Sequence, residues 1–277
     1  MAVVHQSCAG YGAEPFASLV AGYPGEELYP SRDFRTEWGP VFHRGRLDGT
    51  ARVLVLGQDP AAHEAIARRA LVGIAGQRVQ GLLAKVGVKS SYVMVNVYLY
   101  SVFNQTAANR HIADEDVTAY RHRWLNALLV GTDVSAVLAL GSLAERAYRA
   151  WARTQRPTAD ALHLAAIRHP TYAEGVTRAT GQPIEETTAA QLADWNDHLS
   201  GLAAHVTPDV PTLPVPYAAT WGLTDLVPIP EADLPAGAPT WWRAVEPWAV
   251  REGPTTQEKR ATIKVAVPEG ARRWPAL

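Results

Sequence analysis

The sequence has very little of several features that define specialised protein classes. It contains one cysteine among 277 residues, Cys8, which excludes an intrachain disulfide and a four-cysteine zinc or iron–sulfur site. No apolar run approaches the ~20 residues that a membrane helix needs, and residues 1–8 lack the basic and apolar regions of a secretory signal. These absences predict a cytoplasmic protein of a reducing compartment, with no cofactor, no metal and no membrane contact.

The chain also lacks an excess of charge. Its 26 basic and 27 acidic residues give a formal net charge of −1, so a DNA-binding role requires a local basic face on a neutral body. A glycine-rich phosphate loop is missing too, which argues against a plain nucleotide-binding sandwich. Hydrophobic residues make up 47% of the chain, and this is ample material for a globular core.

Short apolar segments alternate with helical patterns along the first three quarters of the chain. The predicted strands are Ala51–Leu56, Ser91–Tyr100, Val134–Leu140 and Leu162–Ile167. The predicted helices are Gln77–Val86, Asp114–Val130, a helix capped by Ser142, and Thr187–His205. This alternation predicts an α/β fold, a three-layer α/β/α sandwich with a short, mostly parallel four-stranded sheet.

The composition changes after residue 207. Eight prolines occur between residues 208 and 239 and four tryptophans between residues 221 and 248, and only 261–267 has the pattern of a strand. We therefore predict one domain over residues 1–207, with its core motifs in 52–172. Residues 208–277 are predicted to form a Pro/Trp-rich extension packed on that domain, because so many tryptophans argue against disorder.

Polar residues follow three of the predicted strands. Gln58 and Asp59 come after the first strand in a Gly-x-Asp-Pro turn, Asn96 lies near the end of the second, and His169 follows the fourth. Each has an ordinary interpretation by itself, as a turn, a satisfied strand amide or a loop histidine. In a parallel sheet, however, the carboxyl ends of all strands meet at one edge. A carboxylate, an amide and an imidazole then lie together as a catalytic set.

These residues resemble the motifs of the uracil-DNA glycosylase superfamily. The resemblance covers about Arg52 to Tyr172 and rests on Gly57-Gln58-Asp59-Pro60, Asn96 and His169-Pro170-Thr171. The first motif is similar to that of the major uracil-DNA glycosylases. Glu64, residues 70–77 and Asn109-Arg110 instead resemble the iron–sulfur branch, whose cluster cysteines are missing here.

The resemblance implies a monofunctional enzyme of base excision repair. It would flip uracil out of single- or double-stranded DNA and hydrolyse the N-glycosidic bond to leave an abasic site. The roles it implies are catalysis by Asp59 and His169, base binding by Gly57, Gln58, Leu71 and Asn96, and DNA contact by Arg110, Arg168, Thr171 and Tyr172. Arg78 is a further candidate for phosphate contact. The enzyme is expected to act as a monomer, associated with the bacterial nucleoid.

Two positions depart from the family pattern. Ala61 replaces the tyrosine that follows the first motif, which leaves room near C5 of the base, and Leu71 replaces the aromatic ring that stacks on it. These departures keep two alternatives open, a hydrolase of the same fold that acts on another base or on nucleosides, and a module that binds uracil or abasic DNA with little turnover. His63 and His111 are interpreted as surface residues, although one branch forms a covalent bond through a histidine in the loop that holds His111.

Overall fold

The structure is a computed structural model that describes residues 11–255, 258–259 and 262–271. The single cysteine and the N-terminal residues considered for a secretory signal all lie in 1–8, outside the described residues. The helices are α1 (Phe16–Ala21), α2 (Ala62–Ala67), α3 (Ile74–Lys85), α4 (Gln105–His111), α5 (Glu115–Leu129), α6 (Ser142–Thr154), α7 (Arg156–Ala159), α8 (Tyr172–Thr180) and α9 (Ile184–His205). The strands are β1 (His43–Gly45), β2 (Val53–Gly57), β3 (Tyr92–Asn96), β4 (Ala136–Leu140), β5 (His163–Ile167), β6 (Ala249–Arg251) and β7 (Ile263–Val265).

The central sheet has the strand order β1-β3-β2-β4-β5. Strands β3, β2, β4 and β5 are parallel, and β1 pairs antiparallel with β3 at one edge. The predicted α/β class with a mostly parallel sheet is confirmed, but the sheet has five strands rather than four. Strand β1 escaped prediction because His-Arg-Gly is short and polar, and only its pairing with β3 makes it a strand.

The sheet is buried on both faces, as the apolar composition of its strands predicts. Along β2, Leu54 and Leu56 belong to the hydrophobic cluster under α5 and α6, whereas Val53 and Val55 belong to the cluster under α3 and α9. Apolar residues at helical spacing on α5, α6 and α9 are buried, including Trp124 on α5. The three layers therefore form as expected, with every parallel strand ending at the same edge.

Two local features differ from the sequence prediction. Helix α6 begins at Ser142 itself, and its cap is Gly141 with φ = 87°, a backbone conformation that favours glycine. Helix α8 follows His169-Pro170-Thr171 directly, where the sequence patterns led us to assign no helix. Gly175 and the β-branched residues of α8 weaken its helical pattern, but Ala173 packs into the core.

Asp233 and Trp248, in the segment after residue 207, make specific contacts with the domain. The Arg44 guanidinium of β1 is completely buried and pairs with Asp233 at 2.7 Å. Trp248 lies in a third apolar cluster that also contains residues of α2. Within the described part of the chain, no helix has the length and apolar character required to cross a membrane.

Candidate active site

A cavity of about 950 Å³ opens at the carboxyl edge of the sheet. It brings together six of the predicted site residues, namely Gln58, Asp59, Arg168, His169, Thr171 and Tyr172. Gly57, Leu71, Asn96 and Arg110 are not among the described residues that line it. The loops after β2 and β5 thus face each other across one space, as the parallel topology requires.

Asp59 is held by its neighbours in one orientation. Its Oδ2 accepts a hydrogen bond from the Val102 N–H at 2.9 Å, and its Oδ1 accepts one from Gln58 Nε2 at 3.0 Å. Burial raises the pKa of Asp59 to about 6, although these hydrogen bonds and the charges of Arg35 and Arg251 oppose the rise. The carboxylate is therefore ionised at neutral pH, in a site where water stabilises it little.

His169 is oriented by the residue two positions later. The Thr171 N–H donates to His169 Nδ1 at 3.2 Å, and Thr171 Oγ1 lies 3.0 Å from the same nitrogen. Burial lowers the pKa of His169 to about 4, so the ring is neutral at physiological pH. Because Nδ1 accepts a hydrogen bond, the proton of the neutral ring is assigned to Nε2, which makes Nε2 a hydrogen-bond donor on a ring that lines the cavity.

Two buried side chains clamp the His169 loop. Gln191 of α9 donates from Nε2 to the carbonyl oxygens of His169 and Pro170 at 3.2 and 2.9 Å. Arg78 of α3 donates to the Pro170 carbonyl at 2.5 Å and forms an ion pair with Glu174 at 2.6 Å. The prediction that Arg78 contacts phosphate is therefore replaced by a structural role, since its guanidinium is buried and engaged.

Asn96 ends β3 directly opposite Gly57. A Cβ atom at Gly57 would lie 2.3 Å from Asn96 Oδ1 and 3.7 Å from Leu71 Cδ2, so any side chain at this position would displace the Asn96 amide. Both polar atoms of the Asn96 amide are buried and have no hydrogen-bond partner among the described residues. Buried polar groups are normally paired, so this amide is available to a ligand.

Leu71 supports the interpretation of this corner as a binding site. It is buried, yet its backbone has φ = 55°, a conformation that is unusual for a large side chain and costs on the order of 1–2 kcal/mol. Such strained residues concentrate at functional sites. Gly57, Leu71 and Asn96 thus form a closed corner next to Gln58 and Asp59, beside the open cavity.

The residues predicted to touch DNA are placed differently from one another. The guanidinium of Arg168 lies over the Tyr172 ring at 4.7 Å, at the cavity wall. Thr171 is engaged with His169, as described above. Arg110 donates to both oxygens of Asp33 at 2.8 and 2.6 Å, so its charge is already compensated. Its role in DNA contact stays a prediction.

His63 and His111 are not the surface residues that we predicted. His111 is buried, with Nε2 2.9 Å from Asp33 and Nδ1 2.5 Å from Asp114. His63 is half-buried, and its Nε2 accepts the N–H groups of Trp248 and Ala249 at 3.2 and 3.3 Å. Asp33 lies 78 residues from His111, and Trp248 lies 185 residues from His63, so local sequence patterns carry no signal for these contacts; only Asp114 is a near neighbour of His111 in the sequence.

Sequence reasoning missed several residues that line the cavity. Gly141 and Ser142 open α6 there, and the start of a helix offers N–H groups suited to an anion such as phosphate. The Leu-Gly-Ser step after the third predicted strand is the signal that would have revealed them. Arg178 and Arg251 also line the cavity.

Among the described residues, no group of three or more His, Cys, Asp or Glu side chains is arranged to hold a metal ion.

A comparison with protein families agrees with this geometry. The family model described as the uracil DNA glycosylase superfamily matches residues 44–199, which is more than half of the chain and includes the whole central sheet except His43. The chain belongs to the uracil DNA glycosylase superfamily. A search of curated proteins found no match. Membership of the superfamily identifies a hydrolase of DNA repair, a glycosylase that acts on damaged bases in DNA.

Proposed function

We propose that this member of the uracil DNA glycosylase superfamily removes uracil from DNA as a monofunctional enzyme. The observation that carries the proposal is the shared cavity of Asp59 and His169, with the unpaired amide of Asn96 in the adjoining corner. The target nucleotide leaves the base stack before the reaction, at a cost of a few kcal/mol. Action as a monomer in the bacterial cytoplasm belongs to the same proposal.

Asp59 acts on the sugar and on water. As the C1′–N1 bond breaks, its electron pair leaves with the base and positive charge develops on the deoxyribose. The ionised Asp59 carboxylate stabilises that charge and accepts a proton from the attacking water, whose oxygen forms the new bond to C1′. The hydrogen bond from Val102 keeps the carboxylate in place during this step.

His169 acts on the leaving base. Its neutral ring donates from Nε2 to uracil O2, where negative charge accumulates as the base departs. A neutral donor suits this role because it stabilises the developing anion without carrying a charge into the buried site. The contacts of Gln191 and Arg78 hold the backbone of the His169 loop, and the Thr171 contacts hold the ring at Nδ1.

Asn96 provides selection for uracil. Its amide can donate from Nδ2 to uracil O4 and accept the N3–H at Oδ1. Cytosine presents the opposite pattern of donors and acceptors, so its binding would leave buried groups unpaired. The absence of competing partners for this amide among the described residues supports this role.

Cleavage of an oligonucleotide with a single uracil tests the proposal. We expect the wild-type protein to release uracil from single- or double-stranded DNA, seen on a gel after alkali opens the abasic site. We expect His169→Ala to slow release by about 10²–10³-fold, the usual loss for one preorganised donor. His205→Ala, an exposed histidine at the end of α9, is the matched control and should keep full activity. If the wild-type protein binds uracil DNA but never releases the base, it is a damage-binding module instead.

A broader base specificity is the second candidate, and Ala61 favours it. Ala61 is exposed at the cavity wall, and its extended backbone at φ = −105° accepts any side chain. We expect Ala61→Tyr to reduce release of 5-substituted uracils at least tenfold relative to uracil, because the ring fills the space beside C5. Ala61→Ser is the control of nearly unchanged size. Competition between the two bases in one reaction measures the ratio, and an unchanged ratio would show that other residues fill this space.

A further inference from the structure

The C-terminal segment reaches the active-site cavity through one residue. Arg251, the last residue of β6, lines the cavity together with Asp59 and His169, although about 190 residues separate it from Asp59 in the sequence. Its positive charge is close enough to act on the Asp59 carboxylate. We propose that Arg251 binds a DNA backbone phosphate beside the flipped nucleotide, so that residues beyond 207 form part of the substrate-binding surface.

The position of β6 is set by contacts with α2. The N–H groups of Trp248 and Ala249 both donate to His63 on α2, the helix that begins two residues after Pro60. Trp248 is buried and stacks on Trp242 with ring centroids 5.1 Å apart. Strand β6 is therefore fixed next to the Gly-Gln-Asp-Pro loop rather than free to swing away.

The side chain of Arg251 extends toward the cavity because of strand alternation. Ala249 is buried against α2, and residues two apart on a strand project from the same face. The Arg251 side chain therefore projects from the same face of β6 as Ala249, which is the face turned toward the domain, and it lies at the cavity. The Val250 side chain projects from the opposite face. Arg251 is exposed and forms no ion pair within the described part of the chain.

A phosphate is the ligand that fits this place. When a flipped base enters the cavity, the phosphates on both sides of its sugar stay at the rim, where Arg251 and Arg178 are exposed. A guanidinium matches phosphate oxygens with two parallel hydrogen bonds. The net charge of −1 gives the protein no general attraction for DNA, so local arginines must supply it. Arg110 already donates from Nη1 to both oxygens of Asp33, so its charge is compensated, whereas that of Arg251 is not paired in this way.

Salt-dependent DNA binding tests the proposal. We expect Arg251→Gln to weaken binding to a duplex with a tetrahydrofuran abasic analogue by about 5- to 10-fold at about 0.1 M salt. The slope of log Kd against log salt should fall by about 0.9, the value for one lost phosphate contact. Lys264→Gln removes the same charge from the neighbouring strand β7, where Lys264 pairs with Glu252, and should leave the slope unchanged. An unchanged slope for Arg251→Gln would overturn the proposal.

Replacement of single DNA phosphates by uncharged groups shows which phosphate Arg251 contacts. Each of the two phosphates on either side of the lesion is replaced in turn by an uncharged methylphosphonate. At one of these two positions, the methylphosphonate should weaken DNA binding by the wild-type protein but not by Arg251→Gln. The substitution and the neutral phosphate remove the same interaction, so their effects on affinity do not add. Additive losses at every position would refute a contact beside the flipped nucleotide. This inference rests on the proposed function, because it assumes that a nucleotide flips into the cavity. Its test measures DNA binding and not base release. A protein that binds DNA through Arg251 but releases no uracil would therefore contradict only the proposed activity.

Discussion

Replacement of Asp59 by asparagine should reduce uracil release by about 10²–10⁴-fold, the range expected when one group provides both charge stabilisation and proton acceptance. Asparagine keeps the size of the side chain and its acceptor oxygen toward the Val102 N–H. The substitution removes the negative charge and the proton acceptor together, so the loss measures both contributions. Its new Nδ2 group replaces the Oδ1 atom that accepts from Gln58 Nε2, and the Gln58 amide must turn to offer its oxygen instead. Single-turnover base release from a uracil oligonucleotide gives the rate. Asp197→Asn, an exposed carboxylate on α9, is the control and should be fully active.

The pH dependence of the wild-type enzyme gives a second test of Asp59. Because burial raises the pKa of Asp59 to about 6, the carboxylate is protonated below that pH and ionised above it. Base release should therefore rise with pH through about 6 and level off above 7. His169, with its pKa lowered to about 4, is neutral throughout this range and adds no second step. A rate that is constant from pH 5 to 8 would contradict this role for Asp59.

The thermal stability of Asp59→Asn shows whether its loss of activity comes from the missing carboxylate or from unfolding. The folded pKa of Asp59 lies above its ordinary value of 3.8, so folding favours the protonated form. The resulting penalty grows as pH rises from about 4 to about 6 and is fully present at neutral pH. Asp59→Asn removes that penalty, and its Tm at pH 7.5 should equal or exceed that of the wild type. An inactive variant with a markedly lower Tm would leave the loss of activity explained by unfolding.

The second large effect concerns the buried ion pair between β1 and the C-terminal segment. Asp233→Ala should lower the free energy of unfolding by about 3–5 kcal/mol, because the buried Arg44 guanidinium would lose its counter-ion. Asp233 also accepts a hydrogen bond from Tyr92 at 2.5 Å, so a second buried group loses its partner. Urea unfolding followed by tryptophan fluorescence measures the change.

An exposed ion pair in the same turn provides the matched control. Glu231 lies two residues before Asp233 and is 3.6 Å from Arg243, but both side chains are partly exposed to solvent. Glu231→Gln should change the free energy of unfolding by less than about 1 kcal/mol. Equal effects of the two substitutions would show that burial does not set the strength of the Arg44 pair.

Local patterns were sufficient for the central architecture. The apolar run of β2 and its end at Gly57 predicted a buried parallel strand, and the structure confirms it. Because parallel strands end at one edge, the same patterns brought Asp59 and His169 to a common cavity. The amide of Asn96 was expected there too, but it lies in the adjoining closed corner, since the side chain at the last position of β3 faces Gly57 and Leu71.

The sequence by itself determined the fold class and the strand-end positions, because both depend on hydrophobic periodicity and chain order over short distances. Only the tertiary structure decided the edge strand β1, the burial of His111, and the contacts of His63, Asp233 and Arg251. Arg44 and Asp233, for example, are 189 residues apart. The partners in such contacts are joined by the packing of whole elements, and no local pattern in either segment specifies the other. For this reason the contribution of the C-terminal segment to the cavity emerged only from the folded chain.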